Sequence, residues 1–272
     1  MSRHLEILRR ARLDGELFAR AAAAGNGHSR GANGGTEVPP DTASGQGAPS
    51  PAETGAGDSS WNNGHSRDQW QQLIHHLFLR RGSEGRLSVG LGSATAGEGT
   101  SFVAFHLATE LARSTAQPTL LLETNVHRPA QAQQHGVDAD PGLRHLLLDK
   151  SFPLESCLRQ TGIEQLWLLP AGSAVNGSGS ALDWTHFRRV FDGLRERFCG
   201  IIADLPPVNL SSDAMIIGPV FDGVVLVVEA DLCSREVIQS AAARLRRANP
   251  NVMGTILNKR KFFIPAPLYR RL

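Results

Sequence analysis

The chain has 272 residues, and its 28 Lys and Arg nearly balance 26 Asp and Glu, for a net charge of +2. This balance gives no indication of a nucleic acid partner, and three cysteines are too few for a disulfide framework or a metal cage. No run reaches the roughly 18 apolar residues that span a bilayer, and the first residues are not a signal peptide, so we expect a cytoplasmic protein.

The N-terminal part of the chain divides into two predicted segments. Residues 1–20 have the spacing of an amphipathic helix, with Leu5, Leu8 and Leu17 on its apolar stripe. Residues 21–66 are rich in Gly, Ala, Ser, Asn, Pro and Thr and have almost no large apolar side chains, so they predict a disordered linker. The predicted folded domain covers residues 67–260, and residues 261–272 form a basic C-terminal tail.

The remaining sequence alternates between helical and strand patterns. Helices are predicted over residues 68–80, 102–112, within 138–148, and over 184–198 and 234–249. Continuous apolar strands are predicted at 86–92, 119–122, 166–170, 200–203, 223–228 and 252–257. This alternation is typical of an α/β fold in which helices cover both faces of a parallel sheet. Ligands bind beyond the carboxyl ends of such strands, where Glu123, Asp204 and Asn258 lie.

Residues 93–101 have the composition of a phosphate-binding loop that lacks its lysine. The loop follows a predicted strand and precedes a predicted helix, which is the context that such a loop requires. Its glycines let backbone N–H groups surround an anion, and the helix N-terminus adds partial positive charge. The usual order is Gly, Lys, Ser or Thr, whereas this chain has Gly99, Thr100 and Ser101. A simple tight turn is the alternative interpretation of the loop alone.

Asp204 closes an apolar strand and is followed by Leu205 and two prolines. A carboxylate in that place can hold a magnesium ion or its water shell. An ordinary polar strand end is the alternative.

Several segments, taken in chain order, resemble the cytoplasmic domain of bacterial tyrosine autokinases. This family belongs to the MinD/ParA-like P-loop group and serves capsule and exopolysaccharide synthesis. The resemblance extends from about residue 68 to 259. It is carried by Gly97-Glu98-Gly99 and by residues 120–129, 141–143, 169–172, 204–208, 212–214 and 257–259.

The resemblance implies a P-loop NTPase-like fold of the MinD/ParA type, with ATP or ADP and Mg²⁺ as ligands. It assigns Asn258 to the adenine base, and Ser101 and Asp204 to the metal. The predicted phosphate cradle consists of Gly97, Glu98, Gly99, Thr100 and Ser101. Because the lysine is lost, we expect weak nucleotide binding. The alternative is a site that binds no nucleotide.

Departures from the family pattern fall on its catalytic positions. Two aspartates of the family's second phosphate motif are Glu123 and Asn125 here, which together with Asp204 form a degenerate catalytic set. Loss of one charge-assisted phosphate contact costs about 1.5–3 kcal/mol, which lowers affinity or rate roughly 10- to 150-fold. The sequence therefore predicts a pseudokinase. If active, the protein would be a non-specific protein-tyrosine kinase.

Two further family features are also missing. The subunit-joining motif, normally Glu, Arg and Arg at three-residue spacing, reads Asp68, Gln71 and Ile74, and Tyr269 is the only tyrosine. We therefore expect no autophosphorylation of a C-terminal tyrosine cluster. Homo-oligomerisation stays open.

The leading hypothesis is a regulatory or binding subunit for exopolysaccharide or capsule biosynthesis and export. Its partner would be a membrane-embedded polysaccharide co-polymerase or chain-length regulator, which recruits it to the inner face of the membrane. The predicted contact surfaces are residues 1–20 and the segment 244–272, which has eight Lys or Arg and no acidic residue. The alternatives are that the helix packs on its own domain and that the basic segment is a solvated helix face followed by a basic tail.

Two other functions remain open. The first is an active autokinase or ATPase that uses Arg128 or Lys259 in place of the lost lysine. The second is a MinD/ParA-type positioning ATPase, against which stands Thr95 at the place of that group's signature lysine.

Overall fold

The computed structural model describes residues 64–78, 86–173, 182–230, 232–249 and 251–259. The predicted helix at 1–20, nearly all of the predicted linker, the tail at 261–272 and Tyr269 lie outside the described residues. Those assignments therefore remain predictions.

Seven helices and seven strands make up the described part of the chain. The helices are α1 Gly64–Leu77, α2 Thr100–Thr115, α3 Gln131–Gln134, α4 Leu143–Leu148, α5 Trp184–Arg197, α6 Asp213–Ile217 and α7 Arg235–Ala248. The strands are β1 Leu87–Ser93, β2 Thr119–Glu123, β3 Arg159–Gln160, β4 Leu166–Leu169, β5 Gly200–Asp204, β6 Gly223–Glu229 and β7 Val252–Asn258.

The predicted boundaries agree with these elements to within a few residues in most places. Helix α1 differs most at its start, because it begins at Gly64, inside the segment predicted as linker. Five of the seven residues at 57–63 are Gly, Ser or Asn, so composition does not mark the first helical turn. The short helices α3 and α6 carry too few residues for a helical period to be visible.

The strands form one sheet in the order β3-β4-β2-β5-β1-β6-β7. Six strands run parallel, as the alternating pattern predicts, and β3 is an antiparallel edge strand that pairs Arg159 with Leu168. The sheet is therefore mostly parallel rather than wholly parallel. Sequence analysis missed β3 because two residues, one of them exposed, leave no periodic signal.

Two hydrophobic clusters cover the two faces of the sheet. Helices α1 and α2 pack on one face, where Leu73 and Leu107 meet strand residues such as Val89 and Ile202. Helices α4 to α7 pack on the other face, where Phe187 and Phe191 are among the largest fully buried side chains. Burial on both faces explains why the central strands are continuous apolar runs rather than alternating ones.

The sheet brings the ends of its central strands together. Glu123 of β2 lies beside Asp204 of β5 in the parallel register, and Leu91 of β1 lies on the other side of Asp204. The polypeptide leaves β1 at Ser93 and enters α2 at Thr100. The predicted phosphate loop and both carboxylates consequently lie at the same edge of the sheet.

Candidate phosphate-binding site

The loop between β1 and α2 has the backbone that its glycines predict. Gly97 and Gly99 have φ angles of 90° and 85°, in the left-handed region that favours glycine. Gly99 immediately precedes the first turn of α2, and a Cβ atom there would collide with Nδ2 of Asn258. Glycine is therefore needed at position 99 both for its backbone angle and for close packing.

Glu98 turns its side chain into the protein and is fully buried. Its Oε1 accepts hydrogen bonds from the Thr95 N–H at 2.6 Å and the Thr95 hydroxyl at 2.7 Å. Its Oε2 accepts from the Glu229 N–H at 3.2 Å, and the Cys233 thiol lies 3.3 Å from Oε1. The carboxylate thus ties the loop to the end of β6, so only the backbone of Glu98 is available to a phosphate.

Thr100 occupies the place of the missing lysine at the start of α2. The residue is 8% exposed, and its Oγ1 is buried without a hydrogen-bond partner among the described residues. An unsatisfied buried hydroxyl costs about 1–3 kcal/mol. Thr100 as a residue also lines the cavity beside the loop, so this unsatisfied hydroxyl lies next to the candidate site.

Asp204 is buried between the loop and β2. Burial raises the pKa of this carboxyl to about 6, the hydrogen bonds from Ser101 and Gln131 oppose the rise, and the charge of Glu123 adds to it. Ser101 and Asp204, the two predicted metal ligands, are therefore in contact in the structure. Their role in binding a metal remains a prediction.

Gln131 is a buried residue of this site that sequence analysis missed. Its Nε2 donates to Asp204 Oδ2 at 2.9 Å and to the Ser101 carbonyl at 3.0 Å, and its Oε1 lies 3.1 Å from His135 Nε2. His135 stacks on Phe105, and burial lowers the pKa of this histidine to about 4. The imidazole is therefore neutral at pH 7. A glutamine in a polar four-residue helix gives no sequence signal for such a role.

Glu123 uses both of its carboxylate oxygens to bind backbone. Oε1 accepts from the N–H groups of Ala130 and Gln131 at 2.6 and 2.8 Å, and Oε2 accepts from the Ala171 N–H at 2.9 Å. The side chain is 1% exposed. It therefore joins the start of α3 to the segment that follows β4, and a catalytic role for Glu123 stays an untested prediction.

A cavity of about 340 Å³ opens beside the loop. Gly97, Thr100, Ser101, Asn125 and Asp204 line it, so it brings together most of the predicted site. Further lining is provided by Pro206, Pro207, Leu210, His127 and Arg128.

Positive charge at this cavity comes from the segment after β2. Arg128 lines the cavity, and the neighbouring His127 has its Nε2 2.9 Å from Asp213 Oδ2. Among the lining side chains, Arg128 is the one that is always charged.

Asn258 and Lys259 contact the loop but do not line this cavity. Asn258 Nδ2 donates to the Glu98 carbonyl at 2.9 Å, and Lys259 Nζ donates to the Gly97 carbonyl at 2.6 Å. The assignment of Asn258 to an adenine base remains a prediction.

The described residues contain no group of three or more His, Cys, Asp or Glu side chains that could hold a metal ion by itself. Magnesium usually binds through one or two protein ligands together with substrate phosphates and water, which is compatible with Ser101 and Asp204. No helix in the described ranges is long and apolar enough to cross a membrane.

The sheet, the loop and the helix that follows it have the arrangement of the P-loop NTPase fold. The kinase domain of Escherichia coli tyrosine kinase ETK superimposes with a TM-score of 0.66 at 22% identity, over 74% of this chain and 78% of that one. The septum site-determining protein MinD from Pyrococcus horikoshii, solved with Mg-ADP, gives 0.57 at 19% identity, over 68% and 76%. These likenesses confirm the MinD-type fold.

Sequence comparisons then narrow the class. Putative tyrosine-protein kinase CapB of Staphylococcus aureus is 25% identical over 172 residues, 63% of this chain and 75% of CapB. Tyrosine-protein kinase CpsD of Streptococcus agalactiae is 25% identical over 203 residues, 74% of this chain and 87% of CpsD. No protein-family model matches the chain. The chain is a relative of the bacterial tyrosine-protein kinases, which confirms the resemblance that the ordered motifs predict.

A third relative bears on the pathway. The succinoglycan biosynthesis transport protein ExoP of Rhizobium meliloti is 29% identical over 182 residues, which are 65% of this chain and 23% of ExoP. The relatives thus include a protein named for transport in succinoglycan biosynthesis.

Proposed function

We propose that this chain is a degenerate tyrosine-autokinase-like P-loop protein that acts as a binding or regulatory subunit in exopolysaccharide or capsule biosynthesis and export. The environment of Thr100 carries the proposal. In the family this position holds the lysine of the phosphate loop, whereas here it holds a buried hydroxyl without a partner among the described residues. The loop keeps the shape of an anion cradle and lacks the charge that would hold a transferring phosphoryl group.

The residues present fit a weakly bound magnesium nucleotide. The left-handed Gly97 and Gly99 shape the backbone cradle, and Thr100 lines the cavity beside it. Ser101 and Asp204, already in contact, would hold the metal. Bound Mg²⁺ would neutralise charge on the phosphates.

Catalysis would suffer from the loss of more than one group. Thr100 carries no charge, Asn125 replaces a carboxylate with an amide, and the Glu123 carboxylate is occupied by three backbone N–H groups. Phosphoryl transfer depends almost wholly on positioning and on charge neutralisation. The loss of two charges, together with the engagement of the Glu123 carboxylate by backbone, therefore supports a protein that binds nucleotide without useful transfer.

The proposed partner is a membrane-embedded polysaccharide co-polymerase or chain-length regulator. Support comes from the family resemblance and from ExoP, named a succinoglycan biosynthesis transport protein. Residues 1–20 and the basic C-terminal segment would make the contact, and the partner would hold the protein at the inner face of the membrane. A co-purification from detergent-solubilised membranes that yields this complex would support the assignment.

Calorimetric titration with Mg-ADP and Mg-ATP, together with an assay of released phosphate and phosphotyrosine, tests the proposal. Wild type should bind both nucleotides weakly. Its turnover should lie far below the range of about 1–100 s⁻¹ that is typical of kinases. Thr100→Lys should tighten binding by about 10- to 150-fold without restoring transfer, and Thr100→Met is the uncharged control. Wild-type turnover in the ordinary kinase range would contradict the pseudokinase assignment.

An active autokinase is the second candidate, because Arg128 lines the cavity and could supply the missing positive charge. Phosphotyrosine that forms in the purified protein, and disappears in both Arg128→Met and Asp204→Asn, would favour this candidate. An unchanged signal in Arg128→Met would exclude the arginine as the substitute cation.

A further inference from the structure

The outer side of the phosphate loop is held by the end of β7. Asn258 Nδ2 donates to the Glu98 carbonyl at 2.9 Å, and the next residue, Lys259, donates from Nζ to the Gly97 carbonyl at 2.6 Å. Two successive peptide groups of the loop are therefore held by two successive residues of another element. Neither residue lines the cavity beside the loop.

A contact that fixes a loop carbonyl also fixes the direction of the N–H group in the same peptide. In a planar trans peptide the C=O and N–H groups point in opposite directions. With the Glu98 carbonyl directed at Asn258, the N–H of Gly99 is directed away from Asn258. The Gly97 carbonyl directed at Lys259 orients the N–H of Glu98 in the same manner.

We infer that Asn258 and Lys259 are positioning residues that brace the phosphate loop, aiming its N–H groups at the anion from the opposite side. The inference rests on the proposed function, because the anion is the phosphate of the proposed nucleotide. In this role Lys259 does not replace the charge of the lost loop lysine. The lysine contacts the loop carbonyl rather than the cavity, and so acts through the backbone.

The brace is itself rigidly attached to the sheet. Asn258 pairs with Glu229 in the β6–β7 ladder, and its carbonyl accepts from the Ala230 N–H at 2.9 Å. Lys259 Nζ also forms an ion pair with Glu229 Oε2 at 2.8 Å. Glu229 in turn donates its N–H to the buried Glu98 carboxylate. Both sides of Glu98, backbone and side chain, are thus connected to the ends of β6 and β7.

Such bracing has a clear physical value in a loop without its lysine. Donors that are already oriented bind an anion without the entropic cost of ordering them. The loop also contains two glycines, which otherwise allow many backbone conformations. The close approach of Gly99 to Asn258, where a Cβ atom would collide, shows that the loop and β7 are packed against each other.

The test combines backbone dynamics with affinity. Asn258→Asp removes the donor and keeps the size of the side chain, and Lys259→Met removes the ammonium and keeps its stem. Nitrogen-15 relaxation in the ligand-free, full-length protein reports the order of the Glu98 and Gly99 amides. Titration with Mg-ADP reports the affinity. Lys150→Met removes another exposed, ion-paired lysine and is the matched control.

We expect order parameters for these amides near about 0.85 in wild type and below about 0.6 in the double variant. Mg-ADP affinity should fall at least about tenfold in the double variant, while Lys150→Met should stay near wild type. Unchanged order parameters in the double variant would overturn the inference, and so would lost order with unchanged affinity. If wild type binds no Mg-ADP while the variant still loses order, the brace is supported and nucleotide binding in the proposed function fails.

Discussion

Single substitutions at the phosphate site have consequences that depend on where each side chain points. Glu123 keeps a carboxylate where the family has an aspartate, yet its extra methylene lets it reach three backbone N–H groups. Glu98 is likewise part of the predicted cradle and directs its side chain into the protein. At these positions an acidic side chain contributes to the architecture of the site, and residue type alone does not distinguish that from catalysis.

Glu123→Gln should destabilise the protein by about 1.5–3 kcal/mol, because the new NH₂ group faces backbone donors that now lack an acceptor. Urea unfolding with and without the substitution measures the difference. Glu164 is exposed, so Glu164→Gln serves as the control with the same change of charge. Equal stability of the two variants would show that the three hydrogen bonds contribute nothing net.

Asp204→Asn should change the pH dependence of stability. Burial raises the pKa of Asp204 to about 6 in the folded state. In the unfolded state the pKa of an aspartate is about 3.9. The folded state then binds the proton more tightly. The resulting stabilisation is complete below about pH 4 and is lost as the pH rises through about 6.

We therefore compare the unfolding free energy of Asp204→Asn with that of wild type at each pH. Between pH 4 and pH 7.5, the value for the variant minus the value for wild type should rise by on the order of 1–3 kcal/mol. Urea titrations of both proteins in magnesium-free buffer measure this difference. Carboxyl groups that do not interact with Asp204 affect both proteins alike and cancel. A difference that stays constant over this range would contradict a raised pKa.

At the scale of elements, short segments of the chain contribute residues to the site alongside the loop and helix α2. The loop and α2 supply the cradle, but α3 contributes Gln131, and the end of β7 holds the outside of the loop. Helix α1 lies farther from the cavity and packs on α2 through Leu73 and Ile74. It therefore belongs to the packed domain even though its first residues have the composition of the linker.

Leu73→Ala should cost about 2–5 kcal/mol, because this side chain of α1 is completely buried and its removal leaves a cavity. Thermal or urea unfolding measures the loss. Gln72→Ala, at the exposed neighbouring position, should have almost no effect. A loss below about 0.5 kcal/mol for Leu73→Ala would show that α1 is not integrated into the domain.

At the scale of the whole molecule, the described domain is expected to be one part of a longer functional unit. The sequence places an amphipathic segment at residues 1–20 and about 45 residues of linker before the domain. An isolated helix of this length is marginal in water and gains stability by packing its apolar stripe elsewhere. A tether would keep this segment at a raised effective concentration near a partner of the domain.

Deleting residues 1–20 should abolish polysaccharide production and membrane association while the melting temperature of the domain stays unchanged. Deleting residues 31–50, the same number of linker residues, should have little effect on either, because a flexible tether tolerates shortening. The measurements are polysaccharide yield, cell fractionation and thermal unfolding. If only the melting temperature falls on deletion of 1–20, the helix packs on its own domain and does not dock.

The sequence by itself determined the fold class and the location of the site, because both depend on local patterns. Apolar runs that alternate with helical periods predict a parallel sheet, and strand ends such as Glu123 and Asp204 mark its binding edge. The order of motifs was enough to identify the relation to bacterial tyrosine-protein kinases. Loss of the loop lysine at Thr100 is likewise visible without coordinates.

Only the tertiary structure decided what each side chain at that edge contacts. The Glu123 hydrogen bonds reach Ala171, 48 positions along the chain, and Asn258 reaches Glu98 across 160 positions. No local pattern encodes such partners, since they are brought together by the order of strands in the sheet. The burial that raises the pKa of Asp204 is a property of the packed site for the same reason, because it depends on every segment that excludes water from the carboxyl group.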